Sequence, residues 1–147
     1  IHPNVTIGRQ NIFNCGSWTV DREGGTSGYG RELLIGEECE ITDGHYFDVA
    51  GLCSLGARSR VAGYGSQFWT HGAGVVERDV HIGKECFIGS AARFAPGSAI
   101  GNRCVVAMGS VVSGELLVDD ALVAGVPAVV KQAKPDYAWR SPRDVDR

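Results

Sequence analysis

IGKECFIGSAARFAPGSAIGNRCVVAMGSVV, from Ile82 to Val112, decides the fold. Stepping by six through it and its flanks meets Val76, Ile82, Ile88, Phe94, Ile100, Val106, Val112 and Val118, all branched apolar or Phe. From Ile82 to Val112 the residue after each is small: Gly83, Gly89, Ala95, Gly101, Ala107, Ser113. From Val76 to Val106 another small or slim one follows four residues after each: Val80, Cys86, Ala92, Ser98, Cys104, Ser110. Apolar residues six apart make no stripe on a helix of 3.6 residues per turn, and the turns recur too often for a hairpin meander. A short strand followed by a corner does fit. Three such units close one triangular coil, with the large residue filling the prism and the small one easing the corner. Glycine suits the corner backbone. Strands of successive coils then pair about 4.8 Å apart. The period predicts an all-β, single-stranded parallel β-helix.

Working outward, Ile35, Ile41 and Phe47 keep the step, with Gly36 and Cys39 in their places, and Leu55 and Val61 resume it with Gly56, Ser59 and Gly65. Ile7, Gly8 and Phe13 give a first partial coil. The breaks carry information, because insertions in a solenoid become surface loops and such loops carry function. Phe47 to Leu55 is two residues too long, and Val61 to Val76 reads as a three-residue insertion. Gly16 to Glu32, rich in Gly and polar residues, reads as a longer excursion. The coil is expected over 1–130 and a C-terminal extension over 131–147. There Pro135 opens a short helix through Trp139, and a charged tail follows from Ser141.

The 147 residues suit one domain. Fourteen basic and 17 acidic side chains give a net charge of −3, and no Lys/Arg stripe suggests nucleic acid as a partner. No apolar run is long enough to span a bilayer and no secretory signal opens the chain. Five cysteines without a CxxC pair read as reduced, with Cys39, Cys86 and Cys104 as buried spacers. Both observations point to a cytoplasmic setting.

With these residues in view, Ile82 to Val112 resembles the signature of the hexapeptide-repeat acyltransferases. AGVPAVVK (Ala124 to Lys131) is similar to the closing segment of their coils. SQFWTHG (Ser66 to Gly72) resembles the catalytic histidine loop of the branch that O-acetylates sugars and polysaccharides. The resemblance implies a left-handed coil, against the usual right-handed crossover. It further implies a homotrimer with sites between subunits, acetyl-CoA as cosubstrate, no metal, and a sugar or glycan hydroxyl as acceptor.

His71, in the insertion between Thr70 and Gly72, projects from the coil and is the candidate general base, since a neutral imidazole removes a hydroxyl proton near pH 7. Asp48 and His45, in the earlier irregularity, precede it by 23 and 26 residues, about one coil plus loop. Asp48 is expected to orient His71, or else to cap turn amides. His45 is expected to hold the acceptor or the oxyanion, where relatives often have Asn, or else to be a surface ring. Trp69, Tyr46 and Trp18 are candidate platforms for a sugar ring, against ordinary loop packing. The resemblance maps CoA contacts to Ser90, Met108 and Ser113; Ser90 and Met108 are one coil of 18 residues apart. Lys131 is a candidate partner for a CoA phosphate, although Val129 stands where relatives often carry a basic residue after Pro-Ala.

Three other readings stay open. An amino sugar or an antibiotic is the alternative acceptor on the same fold. A zinc enzyme resembling the γ-class carbonic anhydrases needs three converging His, and the chain has only His2, His45, His71 and His81. A non-catalytic scaffold remains the third, because fold does not fix function.

Overall fold

The computed structural model describes residues 1–19, 28–74 and 78–133. Its strands form three parallel sheets that the chain visits in rotation, one strand of each per coil. The first sheet has seven strands and points Ile7, Ile41, Val61, Ile88, Val106 and Val123 inward; its last strand, Ala128–Ala133, folds back antiparallel on Ala121–Gly125. The second stacks Phe13, Phe47, Phe68, Phe94 and Val112. The third stacks Ile35, Leu55, Ile82, Ile100 and Leu116.

These columns are the core, and most of their members are at most 2 % exposed. The four Phe rings of the second sheet lie one per coil with centroids 5.1, 4.5 and 5.0 Å apart. That spacing follows from the strand separation, so stacking is imposed by the register. At the corner from third to first sheet the small residue has a second task. The side chains of Cys39, Ser59, Cys86 and Cys104 each donate to a backbone carbonyl of the next coil, on Gly56, Gly83, Gly101 and Val118, at 2.9–3.1 Å. A buried thiol or hydroxyl is thereby satisfied while the coils are tied together. The Gly beside it is needed for close approach: a Cβ on Gly83 would sit 2.3 Å from the carbonyl oxygen of Gly101.

The structure corrects the expected register in two places. Leu55 pairs with Ile82, 27 residues on, whereas a regular coil from Ile82 to Ile100 takes 18. One extra residue lies between Val61 and Phe68 and eight lie between Phe68 and Ile82, so this is a nine-residue enlargement of one coil rather than a three-residue insertion. The third sheet passes directly from Leu55 to Ile82, and Val76, at which the step of six was read, lies outside the described residues. Val118 is not inward. It is 45 % exposed, because the chain turns from Val112 to Leu116 in four residues and Leu116 takes the place beside Ile100. The last strand continues to Ala133, and the short helix expected from Pro135 lies outside the described residues. No described helix is long and apolar enough to cross a membrane.

Candidate active site

The longer departures from the six-residue step follow second-sheet strands, at the corner between the second and third sheets. They follow Phe13, Phe47 and Phe68, which stack on one another. Because Phe47 pairs with Phe68, the residues just beyond them, Asp48 and Trp69–His71, meet one coil apart. Asp48 has no exposed surface. Its Oδ2 accepts the Thr70 N–H at 2.8 Å and His71 Nδ1–H at 2.5 Å, and lies 3.0 Å from the Thr70 hydroxyl; its Oδ1 accepts the Ala50 N–H at 3.3 Å. Donors surround the group, as a carboxylate requires when buried. Thr70 Oγ1 in turn accepts the Gly51 N–H at 2.8 Å.

A carboxylate only accepts, so the proton of a neutral His71 is on Nδ1 and the lone pair on Nε2. The imidazole is about one-third exposed, so a buried anion fixes a ring that still reaches the surface. Trp69 lies edge-on to it, 5.9 Å away at 70°, and leans on Tyr46 at 4.7 Å. Both aromatics are held from behind: Trp69 Nε1 donates to Gln67 Oε1, and Asn14 donates to the Tyr46 hydroxyl. The outcome is a two-ring face beside a carboxylate-bound imidazole. Asp48 also affects its interior neighbour Cys53, whose thiol is pushed up to about 12 by burial and then by the carboxylate charge.

His45 is a correction. It is 1 % exposed, and both ring nitrogens are engaged within the coil: Nδ1 accepts the Ser66 N–H at 3.1 Å, and Nε2 lies 3.0 Å from Thr42 Oγ1. Burial lowers its pKa, partly opposed by Asp43. It occupies the corner slot four residues after Ile41, the slot that Ala92 and Ser110 fill in later coils, so it supports the fold rather than the His71–Asp48 pair. Trp18 belongs to the 3-10 turn Ser17–Thr19, and its side chain lies outside the described part of the structure. Of the residues mapped to CoA, Ser90 and Met108 stack at the corner between first and second sheets, where the Gly109 N–H donates to the Ser90 carbonyl. Ser113 lies past the next strand, toward the third sheet, and Lys131 is exposed on the antiparallel last strand. Sequence reasoning missed Thr70, which bridges Asp48 to Gly51; its signal was a hydroxyl residue directly before the loop histidine.

The family model described as bacterial transferase hexapeptide (six repeats) matches residues 79–114. No curated protein matches the chain. Several solved structures do. A hexapeptide-repeat-containing acetyltransferase from Vibrio cholerae O1 biovar eltor, complexed with acetyl coenzyme A, is 23% identical over 89% of this chain and 72% of its own, with a TM-score of 0.64. A maltose O-acetyltransferase from Clostridium difficile 630 is 20% identical over 90% and 72%, at 0.63. A polysialic acid O-acetyltransferase is 18% identical over 93% and 64%, at 0.68. The chain thus has the hexapeptide-repeat fold, a left-handed parallel β-helix, that these acetyltransferases share. The matched repeats lie after His71 and Asp48, so the reading of that pair stands on its geometry.

Proposed function

We propose that this chain is an acetyl-CoA-dependent O-acetyltransferase acting on a hydroxyl of a sugar or glycan, with His71 as general base and Asp48 as its positioning residue. The observation that carries this is the buried Asp48 carboxylate on Nδ1 of a part-exposed imidazole flanked by Trp69 and Tyr46. His71 Nε2 takes the proton of the acceptor hydroxyl as the oxygen attacks the thioester carbonyl carbon. The imidazolium is held by Asp48 while the tetrahedral oxyanion exists. Collapse breaks the C–S bond, and His71 returns its proton to the departing thiolate. No covalent enzyme intermediate is needed, so both substrates are held together and proximity supplies much of the rate. Trp69 and Tyr46 offer a platform for the acceptor ring. Ser90 and Met108, stacked at one corner, offer repeated backbone groups to a pantetheine arm, with Ser113 and Lys131 further along the proposed CoA path. A homotrimer with shared sites belongs to the same proposal, and light scattering tests it.

The deciding experiment is calorimetry with acetyl-CoA together with metal analysis of the same sample. Micromolar-range binding without stoichiometric zinc is expected. One zinc per subunit and no CoA binding would replace this reading with a metal enzyme, and neither ligand would leave a scaffold. With a sugar acceptor identified by screening, which also includes amino sugars and antibiotics, His71→Ala is expected to lower kcat by at least about 10²-fold with acetyl-CoA affinity nearly intact. An unchanged rate removes His71 from the mechanism.

A further inference from the structure

The corner that carries His71 has a second side. Facing the third sheet is a cavity of about 430 Å³, walled in part by Gly51, Arg78, Asp79, His81, Ala99 and Glu115. Its size is that of a small-ligand site. We infer that this cavity binds carbohydrate, holding the non-reacting part of the acceptor, so that the preferred acceptor is a neutral oligosaccharide rather than a monosaccharide. The inference rests on the sugar O-acetylation proposed above.

Three observations carry it. The first is continuity with the His71–Asp48 pair. Gly51 is part of the wall, and its N–H donates to Thr70 Oγ1, the hydroxyl that also lies against Asp48. A Cβ on Gly51 would lie 3.1 Å from Thr70 Cβ and 3.0 Å from Asp79 Oδ1, so one residue separates the cavity from the backbone that holds His71. An acceptor seated there reaches His71 by passing round the corner.

The second is the shape of the floor. Ser54, His81, Ala99 and Glu115 follow one another across the third sheet. Ala99 is small and lies between an exposed imidazole and an exposed carboxylate two strands apart, about 9.5 Å by strand spacing. The cavity meets the sheet at Ala99, with a polar side chain from the strand to either side. The His81 ring is fixed by its Nδ1 contact with Ser54 Oγ at 2.8 Å. Asp79 is fixed by the Leu52 N–H on its Oδ1 at 2.9 Å.

The third is charge. Arg78 and His81 supply donors, while Asp79 and Glu115 supply acceptors. A hydroxyl both donates and accepts, so vicinal diols match such a mixed lining. Among the described residues of the lining, two carboxylates stand with one guanidinium, which lies 4.0 Å over the Tyr29 ring. A polyanionic glycan would meet repulsion here, whereas a neutral one would not.

The test uses the whole chain and a panel of neutral trisaccharides of glucose, galactose or N-acetylglucosamine, their monosaccharides, and a sialic acid trimer. Titrations are followed by calorimetry and acetyl transfer by thiol release. At least one neutral trisaccharide is expected to bind about tenfold or more tighter than its monosaccharide and than the sialic acid trimer. His81→Ala and Glu115→Ala are expected to shrink that advantage toward unity, each by removing a hydrogen bond to the ligand, whereas His71→Ala keeps it. Equal binding of trisaccharide and monosaccharide, an advantage that survives both variants, or preference for the sialic acid trimer overturns the inference, even if sugars are acetylated. Trisaccharide binding that depends on His81 and Glu115, with no acetyl transfer to any sugar, instead overturns the O-acetylation reading and leaves the carbohydrate site standing.

Discussion

Asp48 and His45 sit three residues apart with opposite fates, and the difference is where the coil turns. Asp48 follows the inward Phe47 into the enlarged corner, where Thr70 and His71 fold over it. Asp48→Asn keeps the shape but places an amide nitrogen among donors. A loss of about 1–3 kcal/mol in stability is expected from the unsatisfied contacts, read by thermal melting. A fall in kcat of about 10²-fold with acetyl-CoA affinity retained is expected from the lost positioning of His71. Unchanged kcat in the folded variant would limit Asp48 to a structural role. His45 makes a prediction about pH. Burial holds its folded pKa below the ordinary 6.5. The unfolded chain therefore takes up a proton first as pH falls through about 6.5, and stability is lost from there down toward the folded pKa. Melting temperature between pH 7.5 and 5 should decline more steeply for the wild type than for His45→Gln. The sequence marked both residues because both sit at a break in the period, and type alone does not distinguish a loop imidazole from a buried one. Its slot did carry a signal: four residues after an inward position, regular coils place something small, so a ring there is enclosed.

At the scale of the coil, each turn from third to first sheet places a non-glycine residue in the left-handed region: Glu38, Arg58, Glu85, Arg103 and Asp120, with φ of 53–58°. The backbone N–H of each donates to a turn carbonyl of the preceding coil, which offsets the strain of that conformation. Their charges alternate along the stack. Arg58 meets Glu85, and Arg103 holds Asp120 through two bonds of 2.7 and 2.9 Å, which pushes the guanidinium pKa up. Arg58→Glu would set three carboxylates in a row. Exposure limits the effect to at most about 1 kcal/mol, and it should shrink in 1 M salt, where screening acts over about 3 Å; a salt-independent change in melting would point to the backbone instead. Inside the same coils, Ala92 is fully buried, so Ala92→Leu overpacks its corner and should cost about 1–3 kcal/mol. A melting temperature equal to wild type would mean the register is wrong at that corner. The period made these coils legible because one inward residue and one small residue recur at fixed steps. Val118 satisfied the step by type alone. A four-residue turn moved the register past it, and that turn, like the nine-residue enlargement of the earlier coil, leaves no mark in apolar spacing.

Across the whole molecule, each coil touches only its neighbours, so stability is distributed along an axis rather than about a centre. The two ends are unequal. Among the described residues the first coil pairs on one side only, and Ile12 is 56 % and Phe13 39 % exposed. The far end is covered by the antiparallel strand Ala128–Ala133, which shields the last first-sheet strand. The coils between Ile82 and Val112 are paired on both sides and fully packed. Opening free energy should therefore rise from the N-terminal end inward, because the first coil has one neighbour to lose and the middle coils have two. Native-state hydrogen exchange checks this. The amides of Thr6 and Ile12 are expected to exchange at least about tenfold faster than those of Phe87 and Arg93, although all four donate to a carbonyl of an adjoining coil. Equal rates would mean that the coils open together and that the axis has no weak end. Since His71 and Asp48 join two interior coils, a gradient of this kind keeps the pair's geometry insulated from fraying at the exposed first coil.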